Sequence, residues 1–350
     1  MTDRMKEAFG RFRKTQMFWP VIVLILMLIF NAFFTKNFFV ISITEGHLYG
    51  NVIDILKNVA PLALLAIGMT LVIATAGIDI SVGSVVAISG ALACSILDGR
   101  LGIFDHSFAA ALIFGIAAGT VCGLWNGLLI AKVRIQPIVA TLILMTAGRG
   151  IAQLITNGQI VTIDMDPAMP QYYFLSSGYI FGLPFSMFIA LFMLLAVLLF
   201  VKRSSFGLFL ESLGVNGRAS GLAGIKVDTI KMIVYIVSGT MAGIAGLIIS
   251  SNIKAADCNN AGLFIELDAI LSVAIGGTSL YGGRFSIPAS VVGALIIQTL
   301  TTTILAMGVS PQTISLVKAI VVVAICLFQS AEFRRNVLFR FLPRRKGAEA

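Results

Sequence analysis

The chain has 350 residues, of which 58% are hydrophobic and 12% are charged, and its formal net charge is +9. Soluble domains average roughly 45–50% apolar and about 25% charged residues, so this composition excludes a soluble globular protein and indicates a membrane protein. Because the basic residues flank apolar segments, we attribute the net charge to membrane topology and not to nucleic-acid binding.

Apolar segments of about 20 residues, enough to cross the hydrocarbon core, follow one another along the chain. They predict an all-α polytopic membrane protein with about ten transmembrane helices. The spans are expected near 17–35, 51–75, 78–97, 107–131, 135–156, 181–201, 228–250, 266–281, 286–307 and 311–330. The domain organisation follows: a basic N-terminal segment 1–16, one transmembrane domain 17–330 that includes a cytoplasmic segment 204–226, and a basic tail 331–350.

The positions of lysine and arginine predict the orientation, because short cytoplasmic loops carry the positive excess. With the N-terminus inside, the outer loops hold few basic residues beyond Lys36, Arg100 and Lys254. An even number of spans then places both termini in the cytoplasm.

The stretch ATAGIDISVGS, residues 74–84, interrupts a long apolar run with a carboxylate, Asp79. A charge at the bilayer centre costs at least about 2.5–3.5 kcal/mol unless it is paired or hydrated. Broken helices that line a cavity satisfy such groups, so we predict one break near 77–84 and a second, IGGTSLYGGRFS, near 275–286. The other charges noted within predicted spans are Arg149, Asp268 and Lys318. An ion pair and a pathway role for Asp79 both remain open.

Glycine recurs every four residues from Gly115 to Gly127 in GIAAGTVCGLWNG. This spacing forms one helix face that another backbone can approach closely. A second small-residue face holds Gly239, Gly243 and Gly246 and predicts the same kind of packing.

The sequence contains no recognisable motif or group of catalytic residues. Walker A and His-Glu-x-x-His patterns are missing, and there are only two histidines, His47 and His106. An intramembrane protease with Ser81 or Ser84 as nucleophile would need a histidine or lysine placed to activate the hydroxyl, and none is indicated. We expect a non-catalytic chain that binds no metal and no cofactor.

The connection between the sixth and seventh spans contains ESLGVNGRASGLAGI, a short pattern of small residues that is too polar to span a membrane. It is either a solvated loop or a helix that docks in the groove of a cytoplasmic partner. The candidate docking residues are Glu211, Gly214, Asn216, Arg218, Gly221 and Gly224.

GIDISVGSVVAISGA and ESLGVNGRASGLAGI resemble the two hallmark motifs of permease subunits in sugar-type ATP-binding cassette importers. This family handles ribose, xylose, galactosides and galactofuranose, and the galactofuranose branch is the most similar. The resemblance runs from about Tyr49 to Gln329, with Ala76 standing where the family usually has glycine.

The resemblance implies a monosaccharide importer in the bacterial inner membrane, with galactofuranose or a related hexose or pentose as the solute. A periplasmic sugar-binding protein would dock on the outer loops, 36–50, 98–106, 157–180 and 251–265. A second permease, a different chain or a second copy, would complete the path. A double-domain cytoplasmic ATPase would use ATP and Mg and receive the segment around Glu211–Ile225 as a coupling helix.

A neutral sugar needs hydroxyl and amide partners along its path. The candidates for the translocation pathway or gate are Asp79, Ser81, Ser84, Asn126, Gln153, Asn157, Thr278 and Ser279. Polar residues also bridge helices, so a purely structural role stays open. Two other functions compete with a sugar importer: an ion-driven secondary carrier and a permease for branched-chain amino acids.

Overall fold

The computed structural model describes residues 15–44, 47–102, 104, 106–163 and 169–329. The predicted terminal segments 1–16 and 331–350 lie almost entirely outside these residues. The described helices are α1 Phe18–Phe34, α2 Asn51–Ala74, α3 Val82–Leu97, α4 Phe108–Ala131, α5 Pro137–Ile155, α6 Met169–Ser177, α7 Phe185–Arg203, α8 Phe206–Val215, α9 Gly217–Leu222, α10 Val227–Ile253, α11 Ile265–Ile275, α12 Ile287–Ala306 and α13 Pro311–Gln329. The described strands are β1 Ser42–Thr44, β2 His47–Tyr49, β3 Val161–Thr162, β4 Tyr179–Ile180, β5 Leu183–Pro184 and β6 Ala255–Ala256.

The predicted helical membrane fold is confirmed at the level of helices and apolar character. By length and composition, six of the described helices are able to cross a membrane: α2, α4, α5, α7, α10 and α12. The helices α1 and α3 are apolar but shorter, with 17 and 16 residues. One expectation was wrong in extent, because α11 ends at Ile275, where the second break begins.

Helix α2 forms the centre of the bundle. Every residue from Val59 to Ala74 is buried, and the helix packs against α7, α10, α11 and α12. An unbroken apolar sequence suits a helix that is surrounded on all sides. The first break, which follows directly after Ala74, is therefore held in the interior of the protein.

Close backbone packing was predicted for each glycine face, and the structure shows that the two faces pack against each other, a pairing that the sequence did not specify. A Cβ atom added to Gly119 on α4 would lie 2.7 Å from the Cα of Gly243 on α10, and one added to Gly239 would lie 2.7 Å from the Cα of Gly123. Gly246 instead faces α3, where an added Cβ would lie 3.1 Å from the Cα of Val86. The backbones of α4 and α10 thus touch with no side chain between them.

The bundle has two distinct ends. One end, which we call the basic end, carries the α4–α5 connection, α8, α9 and the start of α10, where residues including Arg134, Arg218 and Lys231 lie around one groove. The opposite end carries the hairpins β1–β2 and β4–β5 and the pair β3–β6, all antiparallel. The two predicted breaks lie between α2 and α3 and between α11 and α12.

Replacing Gly119 with alanine should destabilise the bundle, because the new methyl group has no room between α4 and α10. Overpacking of this kind costs about 1–3 kcal/mol. Gly150→Ala on α5 is the matched control, since nothing lies within 4 Å of its added Cβ and alanine favours helix. Thermal unfolding in detergent should show a lower Tm for Gly119→Ala only; an unchanged Tm would contradict the close contact.

Candidate functional site

The first break holds Asp79 in a network of hydrogen bonds. Its side chain is 1% exposed. Oδ1 accepts from the backbone N–H of Ser81 at 3.1 Å and from its hydroxyl at 2.6 Å, and Oδ2 accepts from the hydroxyl of Ser238 on α10 at 2.9 Å. No salt bridge among the described residues includes Asp79. Hydrogen-bond donors, and not a cation, therefore stabilise this buried carboxyl group in the described part of the chain.

A second layer of polar groups surrounds this network. Asn126 on α4 donates from Nδ2 to the Ser81 hydroxyl at 2.8 Å. The Asn126 Oδ1 and the Tyr235 hydroxyl are buried and have no hydrogen-bond partner among the described residues. A Cβ added to Gly77 would lie 2.7 Å from the Tyr235 hydroxyl, so glycine makes room for this ring. The break thus retains hydrogen-bonding capacity that its present contacts do not use.

Ser84 connects the start of α3 to α5. Its hydroxyl lies 2.8 Å from the carbonyl of Ser81 and 3.1 Å from the carbonyl of Leu144. Ser81 donates its own hydroxyl to Asp79, and no histidine or lysine of the described residues bonds to either serine. Both serines stabilise the break and lack the contacts of an activated nucleophile.

The second break contacts the first, which the sequence did not predict. The backbone N–H of Gly283 donates to the carbonyl of Ala74 at 3.0 Å. A Cβ added to Gly282 would lie 2.9 Å from the backbone nitrogen of Ala76. Thr278 is buried and accepts from the N–H of Ser286 at 3.4 Å, whereas Ser279 is exposed.

Gln153 and Asn157 lie apart from Asp79, near the far end of α5. Both are exposed. Gln153 is nine residues beyond Leu144, which is about 13 Å along the helix axis. Its Nε2 donates to Asn259 Oδ1 at 2.8 Å in the α10–α11 loop. Arg149, one turn before it, donates from Nη1 to the carbonyls of Ala261 at 2.6 Å and Cys258 at 3.2 Å.

The sequence analysis missed one charged residue at this level, Glu266. Its side chain is 3% exposed, packs against Gly83 and interacts electrostatically with Arg149. The sequence could have identified Glu266 as a charge within a predicted span, because it stands two residues before Asp268 in IELDAIL. Asp268 itself forms an ion pair, its Oδ2 lying 2.8 Å from the Nζ of Lys318 on α13.

The predicted coupling residues form two short helices, α8 and α9, with Asn216 between them. The Asn216 side chain accepts from the N–H groups of Arg218 and Ala219 at 3.1 and 3.0 Å and so caps α9. Arg218, Gly221 and Gly224 are exposed, and Glu211 is half-buried.

Gly214 differs from the other coupling residues because it faces inwards. A Cβ added to Gly214 would overlap the carbonyl of Ala74 and would lie 3.0 Å from the Cα of Gly283. The predicted coupling segment therefore touches both breaks directly, backbone against backbone. This residue belongs to an internal contact rather than to an exposed docking face.

Comparison with known proteins supports a common family. The family described as branched-chain amino acid transport system / permease component matches residues 51–326. The chain is 46% identical to the galactofuranose transporter permease protein YtfT of Escherichia coli, over 90% of this chain and 91% of that protein. It is 37% identical to the fructose import permease protein FruF of Bifidobacterium longum, over 94% and 93% of the two chains.

The ribose import permease protein RbsC of Escherichia coli is 36% identical over 86% of this chain and 90% of its own. No solved structure matches the chain. Such permeases are non-catalytic, and the ATPase activity resides in a partner. As its two motifs indicated, the chain belongs to the family of permease subunits of sugar-type ATP-binding cassette importers.

Proposed function

We propose that this chain forms one half of the membrane path of an importer for a monosaccharide, with galactofuranose as the first candidate. The names of the similar permeases specify galactofuranose, fructose and ribose, and the galactofuranose protein has the highest identity of these. A periplasmic binding protein delivers the sugar, and a cytoplasmic ATPase with ATP and Mg drives the change of access. A second permease, a different chain or a second copy, completes the path.

The contact between the coupling segment and the two breaks carries this proposal. Gly214 lies against Ala74 and Gly283, and Asp79 follows Ala74 by five residues. Movement of α8 by a bound ATPase therefore reaches the buried network without passing through a flexible side chain. A secondary carrier has no use for a docking segment that is packed in this way on its broken helices.

The exposed polar side chains of α5 are our candidates for the wall of the path. Thr146, Arg149 and Gln153 recur at helical spacing on α5, Asn157 follows in the turn after its end, and all but Arg149 are exposed. Polar side chains that faced lipid would cost free energy, so they favour a watery path or a protein partner. The buried group around Asp79 has a different role: it holds the break in shape and acts as the gate.

We place the basic end in the cytoplasm. The positive-inside rule supports this orientation, which also puts α8 and α9 where an ATPase can reach them. All ten predicted segments would then cross or enter the inner membrane, with both termini inside. The hairpins of the opposite end would receive the binding protein, together with the loop around Asn259.

Transport is tested with the purified permease, its ATPase and its binding protein in proteoliposomes. We expect uptake of galactofuranose that requires ATP and binding protein and that persists when ion gradients are collapsed. Uptake that follows an ion gradient without ATP would instead establish a secondary carrier. Competition by fructose, ribose and leucine separates the sugar classes and the amino-acid alternative.

Asp79→Asn should impair uptake but leave the complex assembled. The amide accepts on one atom only, so at least one of the three hydrogen bonds from Ser81 and Ser238 is lost, at a cost of about 0.5–1.5 kcal/mol. That loss is enough to shift an access equilibrium several-fold. Asp79→Leu leaves every donor unpaired and should reduce the yield of complex. Normal uptake by the asparagine variant would refute the gate assignment.

Gly221→Trp should abolish stimulation of the ATPase by sugar-loaded binding protein without lowering the Tm of the permease. The nearest atom to a Cβ at Gly221 is a methyl group of Val227 at 3.9 Å, so the fold has room and only the docking face is blocked. Gly221→Ala is the control and should behave as wild type. Full stimulation by Gly221→Trp would argue against docking at α9.

Gly214→Trp should lower the Tm of the permease, because the new side chain collides with both breaks.

A further inference from the structure

The loop of the second break lies beside the coupling segment at the surface of the basic end. A groove of about 530 Å³ is bounded by α8, by α9 and by Arg284 of this loop. The loop was predicted only as part of the translocation path, from Thr278 and Ser279. Its exposed part instead shares a surface with the candidate docking helices.

Apolar side chains stand out from this surface. Tyr281 is 92% exposed and Leu222 on α9 is 91% exposed, and Val215 and Leu208 of α8, which line the groove, are 78% and 70% exposed. Single exposed apolar residues are ordinary, but here two line one groove and two others stand on the helix and the loop that border it, a grouping that marks an interaction site. Tyrosine and arginine, here Tyr281 and Arg284, are the residue types that most often dominate binding energy.

The loop is also tied to the interior. Gly283 donates its N–H to the carbonyl of Ala74 at 3.0 Å, two residues after Tyr281. Glycine is required at 282 and 283, where φ is +88° and +92°. Tyr281 is therefore connected to the first break through one short stretch of backbone, which meets Gly214 at the same point.

We propose that residues 279–284 form a second docking element for the partner ATPase, with Tyr281 as its anchor, beside the coupling helices α8 and α9. This inference rests on the proposed function, because it takes the basic end to be cytoplasmic. Its surface is continuous with the coupling segment through Arg284, which favours one partner spanning both elements. The ATPase then acts on the two breaks through two neighbouring segments, α8 with Gly214 and the loop with Gly283, whose backbones touch each other.

The test measures binding of the purified ATPase to the permease complex in nanodiscs. Tyr281→Ala should weaken binding at least about tenfold and leave the Tm unchanged, because the ring is exposed and packs on little of its own chain. Phe181→Ala is the matched control: it removes an aromatic ring that is 94% exposed in the β4–β5 hairpin at the opposite end, and binding should be unaffected. Binding of the ATPase is also measured for Leu222→Asp, which places a charge on α9 and so tests the coupling segment independently of Tyr281.

The outcomes separate the two proposals. If Leu222→Asp abolishes binding and Tyr281→Ala does not change it, the second docking element is wrong and the importer function stands. If neither variant changes binding of the ATPase, both docking assignments are wrong; only a wild-type complex that binds no ATPase overturns the proposed function itself. If Tyr281→Ala leaves ATPase binding intact but loosens the permease from nanodiscs, the ring is an anchor in the lipid interface and the inference is overturned.

Discussion

The hydrogen bonds of Asp79 constrain the arrangement of the helices around it. Hydrocarbon offers no partners for polar groups, so a carboxyl group inside the bundle must find its donors within the protein. Here the donors come from Ser81 at the start of α3 and from Ser238 on α10, and Asn126 on α4 supports them. These three helices must meet at one level. The glycine faces of α4 and α10 allow that approach.

Backbone contacts then extend this arrangement to the surface. Gly214, Ala74 and Gly283 meet without intervening side chains, so there are no rotamers that could absorb a displacement. Closely packed interiors transmit strain. The position of α8 and the shape of the first break are therefore linked more tightly than contacts between long side chains would allow.

Sequence reasoning succeeded where the signal is local. Each predicted span contains a helix, because apolar length and helix length are set by the same residues, although the helix in the span 266–281 ends at Ile275. The glycine spacing predicted close packing of α4 and of α10, but not that the two helices are partners. Sequence reasoning failed where distant segments meet. The inward position of Gly214 depends on residues 74 and 283, and no pattern near 214 encodes them. The contacts of Arg149 with the carbonyls of Cys258 and Ala261 span more than 100 residues of chain, and no local pattern encodes them.

Helix α5 joins the two polar regions of the protein. Near its middle the carbonyl of Leu144 accepts from the hydroxyl of Ser84 in the first break, and towards its end Arg149 and Gln153 bond to the loop around Asn259. A helix moves as a unit because its backbone hydrogen bonds are internal. A tilt of α5 that loosens the Ser84 contact must therefore also shift the opposite loop.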